Sequence, residues 1–391
     1  MKYLVLLSFS GFWFGIMTIL VPVVSAQHNP MATHDASVKQ WLQAQDEAVR
    51  QQLDDNEQAW LDSVAQAERL WQQAHTVDSA SRWVKYGGGG TTRAVVDYEK
   101  NETEVAVLVE AGKASNESRR DVVSKLSGQF KQIMNESVGG TPILERQFAG
   151  PEEEGKYLTP DGAEKYIEEL AETKLEKEVH PILGGDGVER LMYKVRVPMV
   201  PDSLQRRAEK YLPLVRKYAA LNNLEVSLCC ALVHVESYWN PRCTTKRSSA
   251  KGLMQIIWRT AGKDTWKRFY RDQEPPPTSE EFFDPETNLK YGLRYFRLVY
   301  EKYLPEIKDD TKRLLAAIIS YNCGHGCFKK HVLVGIEPDK MTRKEFLDWC
   351  IKKAPNRWKG KRKSYLELVL EKKRLYTQWD NPTSSTTASG N

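Results

Sequence analysis

The stretch that decides the fold reads Glu236-Ser-Tyr-Trp-Asn-Pro-Arg-Cys-Thr-Thr-Lys-Arg-Ser-Ser-Ala-Lys-Gly-Leu-Met-Gln-Ile-Ile-Trp-Arg-Thr-Ala261. An apolar run with helical spacing precedes it from Val226, which places Glu236 near the C-terminal end of a core helix. A polar loop follows, and Gly252 is predicted to open a second helix that carries Gln255. The pattern therefore predicts one acid and one amide side chain at the mouth of a cleft.

The predicted position of Glu236 has chemical consequences. Burial beside apolar side chains raises the pKa of a carboxyl group, and the negative end of a helix raises it further. A carboxylic acid that stays protonated near neutral pH is what cleavage of a glycosidic bond requires. Taken without the rest of the stretch, Glu236 is more simply interpreted as an ordinary residue at a helix end.

Several motifs in a fixed order change that interpretation. They are Glu236-Ser237, Asn240-Pro241, Gly252-Leu-Met-Gln-Ile256, Thr260-Ala261 and Ser320-Tyr-Asn-Cys-Gly324. Together they resemble the lysozyme-like catalytic domain of soluble-type lytic transglycosylases, bacterial enzymes that cleave peptidoglycan. The resemblance covers roughly residues 203–379. Residues 190–220 and the N-terminal module also resemble the membrane-bound lytic murein transglycosylases of type C.

The resemblance implies a role for six residues. It identifies Glu236 as the catalytic acid, and it gives the substrate-binding residues as Ser237, Gln255, Tyr321, Asn322 and Tyr365. The chain departs from the family pattern in the loop between Glu236 and Gln255, which is one residue longer than usual. Cysteine stands at 243 and 323 where alanine is common. These two cysteines flank the predicted cleft, so a disulfide involving them is expected to brace it.

The cysteine count also bears on the compartment. All six cysteines lie at or beyond Cys229, and an even number in an exported domain points to disulfides, with fifteen full pairings open. The alternative is a zinc site formed by Cys323, Cys327 and His331, although their spacing matches no strong zinc pattern. The sequence predicts no metal and no organic cofactor.

The predicted fold class is α+β, with a mixed N-terminal module followed by an all-α, lysozyme-like catalytic domain. The apolar run from Tyr3 to Val24 and the small residues before Gln27 indicate a secretory signal, or alternatively an uncleaved membrane anchor. No cysteine stands where a lipoprotein anchor would need one. The predicted organisation is a signal peptide at 1–26, an α+β module at 31–200, the catalytic domain at 201–380 and a disordered tail at 381–391.

Local patterns within the N-terminal module support this division. Tryptophan recurs at near-helical spacing between 37 and 74, which predicts a buried helix face rather than a sugar-binding surface. Apolar and polar residues alternate over 93–110, which predicts a strand or hairpin. The patterns over 118–134 and 191–200 predict a helix and a strand, respectively. The module shows no catalytic residues.

Charge gives a weak indication of partners. The net charge is +5, and thirteen Lys or Arg face four Asp or Glu between Lys340 and Arg374. Such a surface suits an acidic polymer, although a charged run is more often a solvated face. The expected partner is the peptidoglycan glycan strand. Nucleic acid is not expected, and the expected location is the periplasm, in association with the cell envelope.

A single acid fits an intramolecular reaction. Glu236 is predicted to protonate the oxygen that leaves C1 of N-acetylmuramic acid and then to deprotonate the C6 hydroxyl, which closes a 1,6-anhydro ring. Two alternatives stay open at this point. One is a lysozyme-like muramidase in which water replaces the C6 hydroxyl, and the other is a catalytically inactive glycan-binding module of an envelope complex.

Overall fold

The computed structural model describes residues 62, 65–114, 118–150, 157–178, 180–245, 248–353 and 363–381. The predicted signal segment, the tryptophans at 41 and 60, and nearly all of the predicted tail lie outside these residues. Within the described ranges, no helix has the length and apolar character needed to cross a membrane.

An antiparallel sheet forms the centre of the N-terminal part. Its strand order is β1-β2-β3-β8-β6, and β7 also pairs with β8. The registered pair Val105 and Val195 lies at the middle of the sheet. The strands of this part, including the separate hairpin β4–β5, are β1 (Arg82–Gly87), β2 (Thr92–Asp97), β3 (Glu102–Glu110), β4 (Ser137–Val138), β5 (Thr141–Pro142), β6 (Glu176–Lys177), β7 (Ile182–Leu183) and β8 (Glu189–Pro198).

Both faces of the sheet are covered. Helices α1 (Arg119–Met134) and α2 (Ala163–Lys174) pack against one face, and a helical segment at 65–71 covers the other. Trp71 lies fully buried in that segment, as the tryptophan spacing predicted, and its indole N–H donates to the carbonyl of Gly90 at 2.7 Å. Because two layers flank the sheet, β2 and β3 are more continuously buried than the predicted alternation implied.

The C-terminal part is helical, which confirms the α+β fold class with a mixed module followed by a helical domain. Shorter helical turns connect its main helices, notably over Trp258–Gly262, Trp266–Tyr270 and Val299–Tyr303. The main helices are α3 (Ser203–Leu221), α4 (Val226–Ser237), α5 (Pro285–Leu298), α6 (Asp310–Cys323), α7 (His325–His331), α8 (Arg343–Lys353) and α9 (Tyr365–Leu375).

The predicted helix from Gly252 is wrong. A three-stranded antiparallel sheet, which the helical spacing did not predict, occupies this region with strands β9 (Thr244–Thr245), β10 (Ser248–Lys251) and β11 (Ile256–Ile257). Gly252 has a φ of +76° and Gln255 a φ of +50°, both in the left-handed region that interrupts a right-handed helix. Helical structure begins only at Trp258.

Helix α4 is the predicted core helix. Every residue from Ser227 to Val235 is buried, and α9 packs along it. The helix ends because Tyr238 and Trp239 both adopt positive φ, at 50° and 66°. Two consecutive non-glycine residues in this region are strained and persist only when their surroundings hold them. The buried indole of Trp239 is held by a 3.0 Å hydrogen bond to the hydroxyl of Tyr376.

The N-terminal part holds the other side of this helix end. Arg207 on α3 is buried and donates from Nη1 to Oε1 of Gln147 at 2.6 Å and from Nε to the carbonyl of Tyr238 at 3.3 Å. Its guanidinium lies 4.5 Å from the ring centre of Tyr98. One buried cation thus connects both parts of the chain to the residue that terminates α4.

The structure contradicts the predicted disulfides. All six cysteines lie in the described part of the chain, and none is joined to another by a disulfide. Cys229 and Cys230 are neighbours in the core helix and pack as small apolar side chains. Cys243 contacts two backbone carbonyl oxygens, those of Ser79 and Glu236, each 3.8 Å from its Sγ. The expected brace by a disulfide involving Cys243 and Cys323 is therefore absent.

Candidate active site

Glu236 is the penultimate residue of α4. Its neighbours on the helix, Val235 and Ser237, are buried, whereas Glu236 is half-buried. Protein atoms surround its carboxyl group, and this burial raises the pKa of Glu236 from 4.5 to about 7. A hydrogen bond from the Tyr365 hydroxyl to Oε1, at 2.5 Å, acts in the opposite direction and lowers the pKa. The effect of burial on the pKa is larger than that of the hydrogen bond, so a large fraction of Glu236 is protonated at neutral pH.

Two tyrosines stand beside this carboxyl. Tyr365 begins α9, and Ser364 caps that helix through a reciprocal pair of bonds with Glu367, which fixes where the Tyr365 ring lies. Tyr321 on α6 donates its hydroxyl to the carbonyl of Met254 at 2.7 Å. Burial raises the pKa of both tyrosines, and the negative charge of ionised Glu236 raises it further. The three side chains therefore form one cluster.

Ser237, the residue after the acid, directs its hydroxyl to the backbone of the protein interior. It is fully buried, and its hydroxyl lies 2.8 Å from the carbonyl oxygen of Leu253 and 3.0 Å from that of Val233. These contacts connect the end of α4 to the loop that precedes Gln255. The substrate-binding role that the resemblance implies for Ser237 stays a prediction.

Gln255 is held by the loop that follows α4. Its amide nitrogen donates to the carbonyl of Cys243 at 2.9 Å and to that of Gly252 at 3.1 Å. Within the described residues its amide oxygen accepts no hydrogen bond, which leaves an acceptor for a ligand. The backbone N–H of Gly252 also donates to the Cys243 carbonyl, at 2.9 Å.

Sequence reasoning missed Asn288, which organises this loop from α5. The buried amide of Asn288 accepts from the backbone N–H of Met254 at 2.7 Å and donates to the carbonyls of Lys251 and Phe282 at 2.8 and 2.6 Å. A Cβ on Gly252 would lie 2.2 Å from the Phe282 carbonyl oxygen. The sequence feature that could have identified Asn288 is its position as a polar residue on the apolar face of a predicted helix.

The remaining predicted residue, Asn322, follows Tyr321 and is half-buried. Across the described ranges its side chain makes no hydrogen bond within the protein, which leaves its amide donor and acceptor available. The structure thus brings Glu236, Tyr321 and Tyr365 into one cluster and connects Gln255 to it through Cys243. The described residues contain no group of three or more His, Cys, Asp or Glu arranged to hold a metal ion.

Part of the chain is similar to known proteins. Residues 213–335 match the family model described as the Transglycosylase SLT domain. Over 132 residues the chain is 43% identical to the membrane-bound lytic murein transglycosylase C of Yersinia pestis (strain Pestoides F) and, equally, to that of Yersinia pseudotuberculosis (serotype O:1b, strain IP 31758). These alignments cover 34% of this chain and 36% of each relative. The chain therefore spans about a third of the length of the curated relatives it matches.

Two solved structures are also similar in part. An inactive mutant of lytic transglycosylase Slt from Pseudomonas aeruginosa is 18% identical, with a TM-score of 0.30, over 43% of this chain and 24% of that one. The 70 kDa soluble lytic transglycosylase from Escherichia coli is 21% identical, with a TM-score of 0.29, over 42% of this chain and 24% of that one.

The matched range contains the predicted acid and four of the five other predicted site residues, and Tyr365 lies C-terminal to it. Residues 213–335 of this chain are therefore similar to the transglycosylase SLT domain.

Proposed function

We propose that the chain is a peptidoglycan lytic transglycosylase that cleaves the β-1,4 bond between N-acetylmuramic acid and N-acetylglucosamine and forms a 1,6-anhydro ring on the muramic acid. The observation that carries the proposal is the Glu236 carboxyl, whose pKa is raised to about 7 by burial at the end of a core helix. A group with this pKa is able to donate a proton and take one back at neutral pH.

The surroundings of Glu236 support a reaction that uses a single acid. Glycosidases that use two carboxylates place them about 5–10 Å apart, where each charge raises the pKa of the other. Among the described residues, no carboxylate contributes to the raised pKa of Glu236. Asp264, the next acid along the chain, accepts hydrogen bonds from Arg268 at 3.0 Å and from Tyr303.

The proposed reaction has two proton transfers through one carboxyl group. Protonated Glu236 donates to the glycosidic oxygen as the bond to C1 breaks, and the N-acetyl group stabilises the positive charge on the sugar. Ionised Glu236 then removes the proton of the C6 hydroxyl, whose oxygen bonds to C1. No water enters, and the tethered hydroxyl has a large entropic advantage over a free nucleophile. No metal or organic cofactor takes part.

The other residues have roles that match their bonding. Tyr365 donates to Oε1 of Glu236 and so stabilises the ionised form between the two proton transfers. The amide oxygen of Gln255 and the amide of Asn322 are proposed to bind N-acetyl or hydroxyl groups of the sugars. Ser237 and Tyr321 hold the 253–254 backbone against the acid.

The relatives named membrane-bound lytic murein transglycosylase C support the choice of substrate, because murein is peptidoglycan. A chain with this substrate acts in the bacterial envelope. We therefore propose the periplasm as its location and glycan strands as its partner.

The test is mass spectrometry of the fragments released from purified sacculi by the protein and by its Glu236→Gln variant. The expected fragments end in 1,6-anhydro-muramic acid, which is lighter by one water molecule than a reducing end. Release of reducing ends alone would mean a muramidase. If the wild-type protein bound sacculi but released no fragments, the chain would be a glycan-binding module. Both outcomes contradict the proposal.

A further inference from the structure

Arg242 lies in the loop that leaves the catalytic helix, six residues after Glu236. Its backbone N–H donates to Oδ1 of Asn240 at 3.0 Å. The carbonyl of the next residue, Cys243, accepts the hydrogen bond that holds Gln255. Arg242 is therefore fixed in place beside the predicted sugar-binding wall.

The guanidinium of Arg242 has no anionic partner in contact. Across the described residues its side chain makes no hydrogen bond or ion pair, and its Nε is buried without an acceptor. It lies 5.1 Å from the ring centre of Phe283. Burial lowers the pKa of Arg242, and the charge of Glu280 opposes this effect. A half-buried cation without a partner is costly, so an anionic ligand would stabilise it.

The positively charged side chains around Arg242 outnumber the carboxylates by one. Lys85 on β1 pairs with Glu136; burial lowers the pKa of Lys85 to about 8, and the positive charge of Arg242 acts in the same direction. Lys251 pairs with Glu280 and lies 4.9 Å from the Phe283 ring. Three cations thus face two carboxylates, and Arg242 is the cation that contacts neither carboxylate.

The chemistry of an arginine fork selects the ligand. A guanidinium that packs by its face against an aromatic ring keeps its N–H edge for bidentate binding of a carboxylate. In peptidoglycan the lactyl carboxyl of muramic acid forms an amide bond with the peptide stem, while the D-amino acids of the stem carry free carboxylates. We propose that Arg242 binds a stem-peptide carboxylate next to the reacting sugar; this inference rests on the proposed function.

Binding is tested without turnover by calorimetry in the Glu236→Gln background. The ligands are soluble glycan strands with uncrosslinked stems, either untreated or with their carboxylates converted to amides by carbodiimide and ammonia. We expect Arg242→Gln to weaken binding of untreated strands about tenfold, the size of a lost charge-assisted hydrogen bond. Amidation should weaken binding to the Arg242 protein by the same factor and leave the Arg242→Gln protein unaffected, because both changes remove one interaction.

Arg259→Gln is the matched control, because Arg259 is an exposed arginine of the same domain. Its binding of both ligands should equal that of the parent. Equal loss on amidation with and without Arg242, or no loss from Arg242→Gln on untreated strands, would overturn the inference. Failure of the wild-type chain to release fragments would instead overturn the proposed function, and the binding result would still decide the role of Arg242.

Discussion

Glu236 in the helical domain and Asp78 in the N-terminal module are both half-buried carboxyl groups whose pKa is raised to about 7 by burial. Both are near enough to Cys243 for their charges to raise the pKa of its thiol. They differ in their hydrogen-bond donors. Oδ1 of Asp78 accepts from the backbone N–H of Val84 at 2.8 Å, whereas Glu236 accepts from a tyrosine hydroxyl.

This difference in donors indicates a structural role for Asp78 and a chemical role for Glu236. The bond to Val84 holds Asp78 against strand β1 and uses a donor that no side-chain exchange removes. The bond to Tyr365 belongs to a cluster that includes Tyr321. A raised pKa therefore identifies a buried carboxyl, and the groups around it decide whether the carboxyl takes part in a reaction.

The largest expected effect comes from exchanging each acid for its amide. Glu236→Gln should lower the rate of fragment release from sacculi by about a thousandfold, because it removes the proton donor. Asp78→Asn should retain activity within about twofold, since Asp78 donates no proton in the proposed reaction. Both rates are measured as release of soluble muropeptides. A comparable loss in Asp78→Asn would break the distinction between the two groups.

The two acids should behave alike in the pH dependence of stability. A folded-state pKa of about 7 against an ordinary 4.5 means that the stability contributed by protonated Glu236 is full below pH 4.5 and is lost as the pH rises to 7. Glu236→Gln should therefore be more stable than the wild type at pH 8, by up to about 3 kcal/mol, with little gain at pH 4.5.

Asp78→Asn should show the same sign, because its pKa is raised from 3.8 to about 7. Urea unfolding of the three proteins at pH 4.5 and pH 8 measures the difference. A gain in stability that does not depend on pH would show that the amide acts through packing instead of through the lost charge.

A smaller effect is expected from Tyr365→Phe. Losing the hydroxyl removes a bond that lowers the pKa of Glu236, so the pKa should rise and the acid should donate its proton less readily. We expect about a tenfold lower rate and an alkaline limb of the pH–rate profile displaced to higher pH. Tyr321→Phe is the control, because the Tyr321 hydroxyl bonds the Met254 carbonyl and not the acid. Equal displacement in both variants would contradict the assignment.

Local patterns in the sequence predicted the parts of the fold that depend on local contacts. The apolar run before Glu236 predicted a core helix, and the alternation around Val105 predicted strands β2 and β3. The prediction failed at Gly252, where Asn288, thirty-six residues later, replaces helical hydrogen bonds with tertiary ones. Such bonds leave no periodic signal in the sequence.

The same limit applies to the candidate site. Glu236, Tyr321 and Tyr365 were predicted from a family resemblance and are in one cluster, although no local spacing connects residues so far apart. The predicted disulfides failed because an even cysteine count says nothing about where the thiols point. The surroundings of Arg242 include Lys85 and Phe283, which come from distant segments of the chain. Only the folded chain therefore shows that Arg242 has no anionic partner in contact.

The central claim is that Glu236 is protonated near neutral pH, and its titration tests this most directly. Carbon-13 NMR of protein labelled at glutamate carboxyls follows each group across pH, and the Glu236 signal is the one missing from Glu236→Gln. The account predicts a midpoint at about pH 7. A midpoint near the ordinary value of 4.5 would contradict it, because the carboxyl would then be ionised and unable to act as the acid.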